Sequence, residues 1–409
     1  MGRLLATLLL LAAVGTAAAG APAAAPSALG VNWISGGVEV RRYDTSTLQP
    51  LGRPLRLQMA AWRWAYSPDR ARVALAGGGA SPTTALAVIG SRGLRRLGRT
   101  SIDGLRPQGV FWPHPSRLVL VGSTGTQTAV LAIDPATLRV VDRLTLEGRV
   151  IRGEGAGARL VLLLAPADGI GTARLVTVDS ELATRTMTLD RIRAGQRTLD
   201  DAADPALRST EMRTPGLAVS PADGVAYVVG DGEPVAIADL ATSSVAYREL
   251  PERRTAAARK SLQGTTIAAS WVAGGRLAIT GMRYDGLDPT TRLVRRETLG
   301  LSILDLESWQ LRTVDAEADW GFRHGRWLVT TGRGGLRWYD LAGGRRGELF
   351  AKLGAGIDVS ALGDQLAVRL VDAQRTVRVD LRTGRVLGRL DYEYFPPRFL
   401  TTHASSILD

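Results

Sequence analysis

An all-β fold, in which one four-stranded antiparallel unit is repeated around a ring, is what this sequence predicts. Three observations carry the prediction. Short apolar runs separated by Gly-, Pro- and Asp-rich turns fill the chain, and the alternation is that of strands, not of helices. An Asp, or Gly at one place, ends the third run of each unit at positions 44, 90, 134, 179, 239, 305, 340 and 380, mostly about 35–46 residues apart. That spacing matches four-stranded propeller blades. Finally, one such sheet cannot bury both of its faces alone, so the units must stack against one another.

Val110–Leu146 shows the unit most clearly. Phe111-Trp112 ends a first strand, and Pro113-His114-Pro115-Ser116 turns the chain because proline fixes φ and lacks a donor. Arg117–Gly122 is nearly all apolar, as suits a strand covered on both faces. Ser123–Gln127 is a polar loop, and Thr128–Ile133 is a third strand. In Asp134-Pro135-Ala136-Thr137 the carboxylate can accept from backbone N–H groups two residues on. Leu138–Leu146 then alternates apolar and charged residues, as an outer, half-exposed strand should.

The same plan gives eight units from Gly30 onward. The first is partial, with runs at Gly30–Ile34 and Val38–Tyr43 but no strand before them. The C-terminal Arg398–His403 can supply that strand, pairing the chain ends and closing the ring without an open edge. Eight blades are therefore expected, with seven blades and an extra N-terminal strand as the alternative. The turns Ser67-Pro68-Asp69-Arg70 and Ser220-Pro221-Ala222-Asp223-Gly224 carry a further resemblance, as do the Asp-x-x-Thr turns at Asp44, Asp134, Asp239 and Asp380. They resemble those of secreted bacterial β-propellers of the YVTN and TolB-like repeat type. The resemblance covers Gly30–His403 at the level of architecture. It implies a toroidal protein that is non-enzymatic or occasionally lactonase-type, and it transfers no functional residue.

Composition narrows the function. The formal charge is +12, but of 51 basic residues only Lys260 and Lys352 are lysine, leaving 49 arginines spread over all units. A nucleic-acid site wants such charge clustered beside aromatic platforms, so no nucleic-acid partner is expected. The absence of cysteine excludes disulfides, thiolate metal sites and cysteine nucleophiles. Met1–Ala19 has the form of a cleaved signal peptide, with Arg3, the apolar run Leu4–Val14 and Ala17-Ala18-Ala19 before cleavage. That run is too short to span a bilayer comfortably. Gly20–Leu29 follows as an Ala/Pro linker, and residues 30–409 form one propeller domain. A monomer, secreted or held in the periplasm or cell envelope without a membrane span, is the expected form.

Three segments break the repeat, namely Asp190–Arg213, Pro251–Thr265 and Met282–Thr298, all in units four to six. The first two join an outer strand to the next inner one, and the third joins second to third strand. In an up-and-down blade those loops emerge on the same face, which is where repeat proteins usually bind. Arg213, Arg253, Arg254, Arg259, Lys260, Tyr284, Arg295 and Arg296 are the candidate binding residues there. Trp62, Gln108, Asp319 and Trp320 are the candidates at the mouth of the central channel. The remaining tryptophans read as packing between blades. Arginine pairs can grip carboxylate or phosphate, so the expected partner is a protein, a glycan or a small anion.

No catalytic constellation is visible. The turn aspartates recur too regularly for catalysis. His114 and His324 fall in first-hairpin turns, where surface positions are expected, and His403 lies near the terminus. No Gly-x-Ser-x-Gly elbow occurs. Gly153-Glu154-Gly155-Ala156-Gly157 reads as a glycine-rich hairpin and not as a phosphate loop. A binding scaffold without metal or cofactor is the reading these residues favour. A lactonase-type or other hydrolase, with its site over the channel, is the alternative.

Overall fold

The computed structural model describes residues 27–78, 83–198, 210–220, 222, 224–251, 264–272, 274–287, 294–351, 357–362, 364–392, 397–400 and 406–407. Every regular element in them is a strand. Unit one holds β1 (Ser27–Ile34), β2 (Gly37–Asp44) and β3 (Pro50–Leu57), so the first strand begins inside the expected linker. Unit two holds β4 (Arg63–Tyr66), β5 (Arg72–Gly78), β6 (Thr83–Gly90) and β7 (Arg96–Asp103). Unit three holds β8 (Arg106–His114), β9 (Arg117–Thr124), β10 (Gln127–Ile133) and β11 (Val140–Glu147). Unit four holds β12 (Arg149–Ala156), β13 (Arg159–Ala165), β14 (Gly169–Val178) and β15 (Thr184–Thr198), followed by β16 (Thr210–Thr214). Unit five holds β17 (Gly216–Ser220), β18 (Val225–Val229), β19 (Val235–Asp239) and β20 (Ser244–Arg248). Unit six holds β21 (Gly264–Val272), β22 (Arg276–Leu287), β23 (Val294–Thr298), β24 (Leu301–Asp305) and β25 (Leu311–Asp315). Unit seven holds β26 (Ala318–His324), β27 (Trp327–Gly332), β28 (Gly335–Asp340) and β29 (Arg345–Leu349). Unit eight holds β30 (Ile357–Leu362), β31 (Gln365–Leu370), β32 (Arg375–Asp380) and β33 (Arg385–Asp391), and β34 (Arg398–Phe399) and β35 (Ser406–Ile407) end the chain.

These strands form six separate four-stranded antiparallel sheets, not eight. Units four and six are not separate blades. Their strands join through β16 into one eleven-stranded sheet, which also takes in β35 at the inner edge of β12. The cause is the first insertion. It folds into a hairpin, with β16 antiparallel to the end of β15 and parallel to the start of β21. Unit one is completed by the chain terminus, but over only two residues, with Gly30 opposite Phe399 and Val31 opposite Arg398. The rest of the expected Arg398–His403 strand apart from Leu400 lies outside the described residues.

Burial follows position within the unit. In β9 a run from Leu118 to Gly122 is buried, whereas β11 is exposed almost throughout. The largest cores lie between neighbouring sheets. One joins Trp112, Leu118 and Leu131 of unit three to Leu86 and Val88 of unit two. Another joins Phe111 and Val121 to Leu162 and Val176 of unit four. Phe111 and Trp112 thus serve opposite faces of one sheet, as strand alternation requires. Pro113 sits inside β8, not in the turn, at a register slip between Phe111 and His114. A proline is tolerated there because β8 is an edge strand and lies at a bulge.

The recurrent Asp turn has a single mechanism. Asp134 Oδ1 accepts from the N–H groups of Ala136 (2.7 Å) and Thr137 (3.1 Å). Asp239 does the same with Ala241 (2.8 Å) and Thr242 (3.0 Å). These backbone donors hold both carboxyls below their ordinary pKa. The fourth residue on, Leu48, Leu138, Ser243 or Trp309, adopts φ near +60°. Left-handed backbone costs an L-residue ~1–2 kcal/mol. Burying the side chains of Leu48 and Leu138 offsets it, since a buried leucine contributes ~1.5–3 kcal/mol.

Trp338 of β28 is 2 % exposed and lies opposite Gly347 of β29. A Cβ at Gly347 would stand 2.0 Å from Trp338 Cζ2. Gly347→Ala is expected to lower unfolding free energy by ~2–3 kcal/mol through overpacking. Adding Trp338→Phe should recover part of that loss in the same denaturant titration. Independent, additive losses would show that this contact is not the cause.

Candidate binding face

The three insertions are hydrogen-bonded to one another. Gly195 lies opposite Arg213 and Arg197 opposite Glu211 across β15 and β16, and Met212 faces Gly264 across β16 and β21. β22 runs on to Leu287 and pairs there with β23. The result is one ladder over units four to six. It lies at the end of the units where outer strands connect to inner ones and second strands turn into third.

The Gly230–Pro234 turn of unit five points into the ladder. Asp231 makes a two-pronged pair with Arg283 of β22, at 2.9 Å to Nε and 3.0 Å to Nη2, and both side chains are largely buried. This bond raises the Arg283 pKa, with the Glu297 charge adding to it. Glu233 accepts from the Arg193 N–H at 3.0 Å, and burial raises its carboxyl pKa although the Arg193 and Arg213 cations oppose the rise. Its other oxygen lies so close to Gly230 that an added Cβ would stand 2.0 Å away, so any larger residue there would displace the Glu233 carboxylate. Arg197 donates to Glu211 at 2.7 Å, and Arg213 approaches the same carboxylate at 3.5 Å. Four arginines and four acids therefore meet here, and among these described residues the charge is compensated. Pairs as exposed as Arg197–Glu211 contribute little stability each, and they order the surface more than they hold the fold.

Of the sequence candidates, Arg213 takes part in this network and Tyr284 lies on β22 directly opposite Arg296 of β23. Arg296 is exposed. Arg295 falls on the same strand. Arg253, Arg254, Arg259 and Lys260 lie outside the described residues. Gln108, Asp319 and Trp320 begin inner strands at the same end of other units. Asp319 is the extra residue of a bulge between Ala318 and Trp320, a device that re-aims a side chain. Trp320 is half-buried, packs on Phe322 at 4.9 Å and joins the core between units seven and eight. Trp62 precedes β4 and is not within an inner strand. It is 47 % exposed and stacks on Trp33 at 6.0 Å. The Gln108 carbonyl accepts from Arg63 Nε at 2.7 Å.

The sequence reading missed Asp231, Glu233, Arg193 and Glu211. The signal that could have found the first two was Gly-Asp-Gly-Glu between apolar runs, in a turn that belongs to the insertion end. His324 corrects another expectation. It is buried, 5 % exposed, beside the Phe322 ring, whereas His114 is exposed and bonds to Ser116. His403 lies outside the described residues. The Gly153–Gly157 segment is the expected hairpin, with Ala156 opposite Arg159. Among the described residues no group of three or more His, Cys, Asp or Glu could hold a metal ion, and no helix is long and apolar enough to cross a membrane.

Neither the protein-family models nor the curated proteins give a match to this chain. Solved structures do match in fold. The dihydro-heme d1 dehydrogenase NirN, in complex with DHE, has a TM-score of 0.60 at 12% identity, covering 90% of this chain and 74% of that one. Apo AztD from Citrobacter koseri has a TM-score of 0.53 at 11% identity, covering 91% and 96%. At such identities the likeness is one of fold alone. With the sheet order it establishes the architecture: the chain is a β-propeller of four-stranded antiparallel blades.

Proposed function

We propose that this chain is an extracytoplasmic binding propeller that does no catalysis and engages a protein partner through its insertion face. The observation that carries this is the continuous ladder formed by the insertions of units four to six. It links the described strands at the roots of the three insertions by backbone pairing, and backbone that is already ordered lowers the entropic cost of binding. The acids there are spent on neighbouring arginines or on backbone N–H groups, which favours recognition over acid–base chemistry. Because Arg193, Arg197, Arg213 and Arg283 meet acids in turn, a protein surface of mixed charge suits the described part of the face better than a small anion does. The leader-like Met1–Ala19 supports export, with residues 20–26 as the linker and the propeller following it. In this reading the β1–β34 pairing closes the ring.

A photo-crosslinking side chain placed at Arg296 or Arg213 should trap one discrete protein species from envelope extracts. The same group at Val141, which is 57 % exposed on the outer strand β11, should not trap it. Equal capture from Val141, or no capture from the face, would sink the assignment.

A further inference from the structure

We propose a second ligand site, at the opposite end of the propeller, for a small planar aromatic acid. A cavity of about 250 Å³ opens where the first hairpins of units two, three and four meet. Phe111 and Trp112 line it, with Pro68, Pro113, the Gly155–Arg159 hairpin and Asp179 around them. Its volume is below the ~300–1,000 Å³ of drug-sized sites, which suits one ring or two fused rings.

The walls set the chemistry. Both aromatic side chains are almost fully buried, 4 % and 6 % exposed, although they serve opposite faces of their sheet. The slip at Pro113 ends regular pairing there and leaves room beside them. Trp112 Nε1 is buried and has no hydrogen-bond partner. A buried indole N–H without an acceptor is unfavourable, and an oxygen on a ligand would relieve it.

Charge near the rim is net positive, with Arg72 and Arg159 against the single carboxylate of Asp179. Asp179 Oδ1 already accepts from the N–H groups of Glu181 and Ala183, each at 2.9 Å. Arg72 sits over the Trp112 ring at 5.0 Å and donates to the Pro115 carbonyl. Arg159 is exposed, and among the described residues no acid pairs with it. Arg159 is therefore a cation with no acid paired to it among the described residues, while the Asp179 carboxylate is held by backbone N–H groups, and a guanidinium grips carboxylates best. The glycine-rich lip is open as well, because a Cβ at Gly157 would meet nothing within 4 Å. An aromatic body against the wall that Phe111 and Trp112 contribute, with its carboxylate toward Arg159, supplies the indole N–H with an acceptor and the guanidinium with an anion.

The probe is indole-3-acetate, with uncharged indole as its control, followed by saturation-transfer NMR and calorimetric titration. The acid should bind in preference to indole. Trp112→Phe keeps the ring and removes the donor, and should weaken the acid about five- to tenfold. Arg159→Gln should weaken it similarly and erase the preference over indole. Ala158→Trp at the exposed mouth should block binding, with the thermal midpoint unchanged. Arg213→Ala and Arg296→Ala should leave affinity untouched, so this site can fail while the insertion face stands, or the reverse. Absence of saturation transfer to the acid, or wild-type affinity in Trp112→Phe and Ala158→Trp, overturns the proposal.

Discussion

Asp315→Ala is expected to cost about 3–4 kcal/mol of unfolding free energy, one of the two largest effects among the variants considered. Asp315 ends β25 of unit six, is 5 % exposed, and reaches across to unit seven. Its Oδ2 accepts from Thr330 Oγ1 at 2.8 Å, and its Oδ1 accepts from Arg337 Nη1 and the Glu317 N–H, each at 3.0 Å. Removing one member of a buried charge pair costs ~3–5 kcal/mol because the other is left uncompensated. Here Arg337 keeps Glu317 at 2.6 Å and Glu348 at 3.5 Å, which places the loss at the lower end. Asp315→Asn keeps one oxygen to accept from the Glu317 N–H and presents an NH2 donor to the Thr330 hydroxyl, and should cost about half as much. Urea titration at constant slope measures both. A loss below about 1 kcal/mol for the alanine variant would falsify the view that this carboxylate staples the two blades.

Glu154→Gln is expected to stabilise the protein at pH 8.5 by about 2–4 kcal/mol and to change little at pH 4.5. Glu154 lies on the inner strand β12, where its Oε2 accepts from the Val219 N–H of β17 at 2.8 Å. Burial pushes its carboxyl up to about 8, and the Val219 bond offsets that only in part. The folded protein thus holds this proton up to about pH 8, while the unfolded chain releases it near 4.5. Between those values the folded state binds more protons, so stability falls as pH rises through the window and levels off above it. Glutamine keeps the acceptor for Val219 and removes the charge. The readout is the difference between wild type and variant from pH 4.5 to 8.5, in which all other titrating groups cancel. A difference that stays flat across that range rules the burial argument out.

Particular residues show how far the sequence could be read. Asp134, Asp239 and Asp380 announced their turns because an Asp side chain bonds to donors two and three residues further on, a local arrangement that needs no distant partner. Leu118 to Val121 announced a covered strand through apolarity alone. The insertion segments could be placed at one end of the molecule, because strand parity fixes where each loop emerges. Asp231 and Arg283, 52 residues apart, could not be paired in that way. Nor could Asp315 with Thr330, or Trp112 with a cavity shared by three units.

The sequence by itself determined the all-β class, the unit and its turns, the covered and exposed strands, and the face on which the insertions collect. All of these follow from local hydrogen bonding and from the alternation of side chains along a strand. Only the tertiary structure decided that six sheets stand alone while units four and six fuse through β16, that His324 is buried, that Arg193, Arg197, Arg213 and Arg283 meet acids at the insertion face, and that the Trp112 indole is left without an acceptor. Each of those depends on strand edges or side chains from different units arriving within bonding distance, and that distance is set by how the blades pack and not by any one stretch of chain.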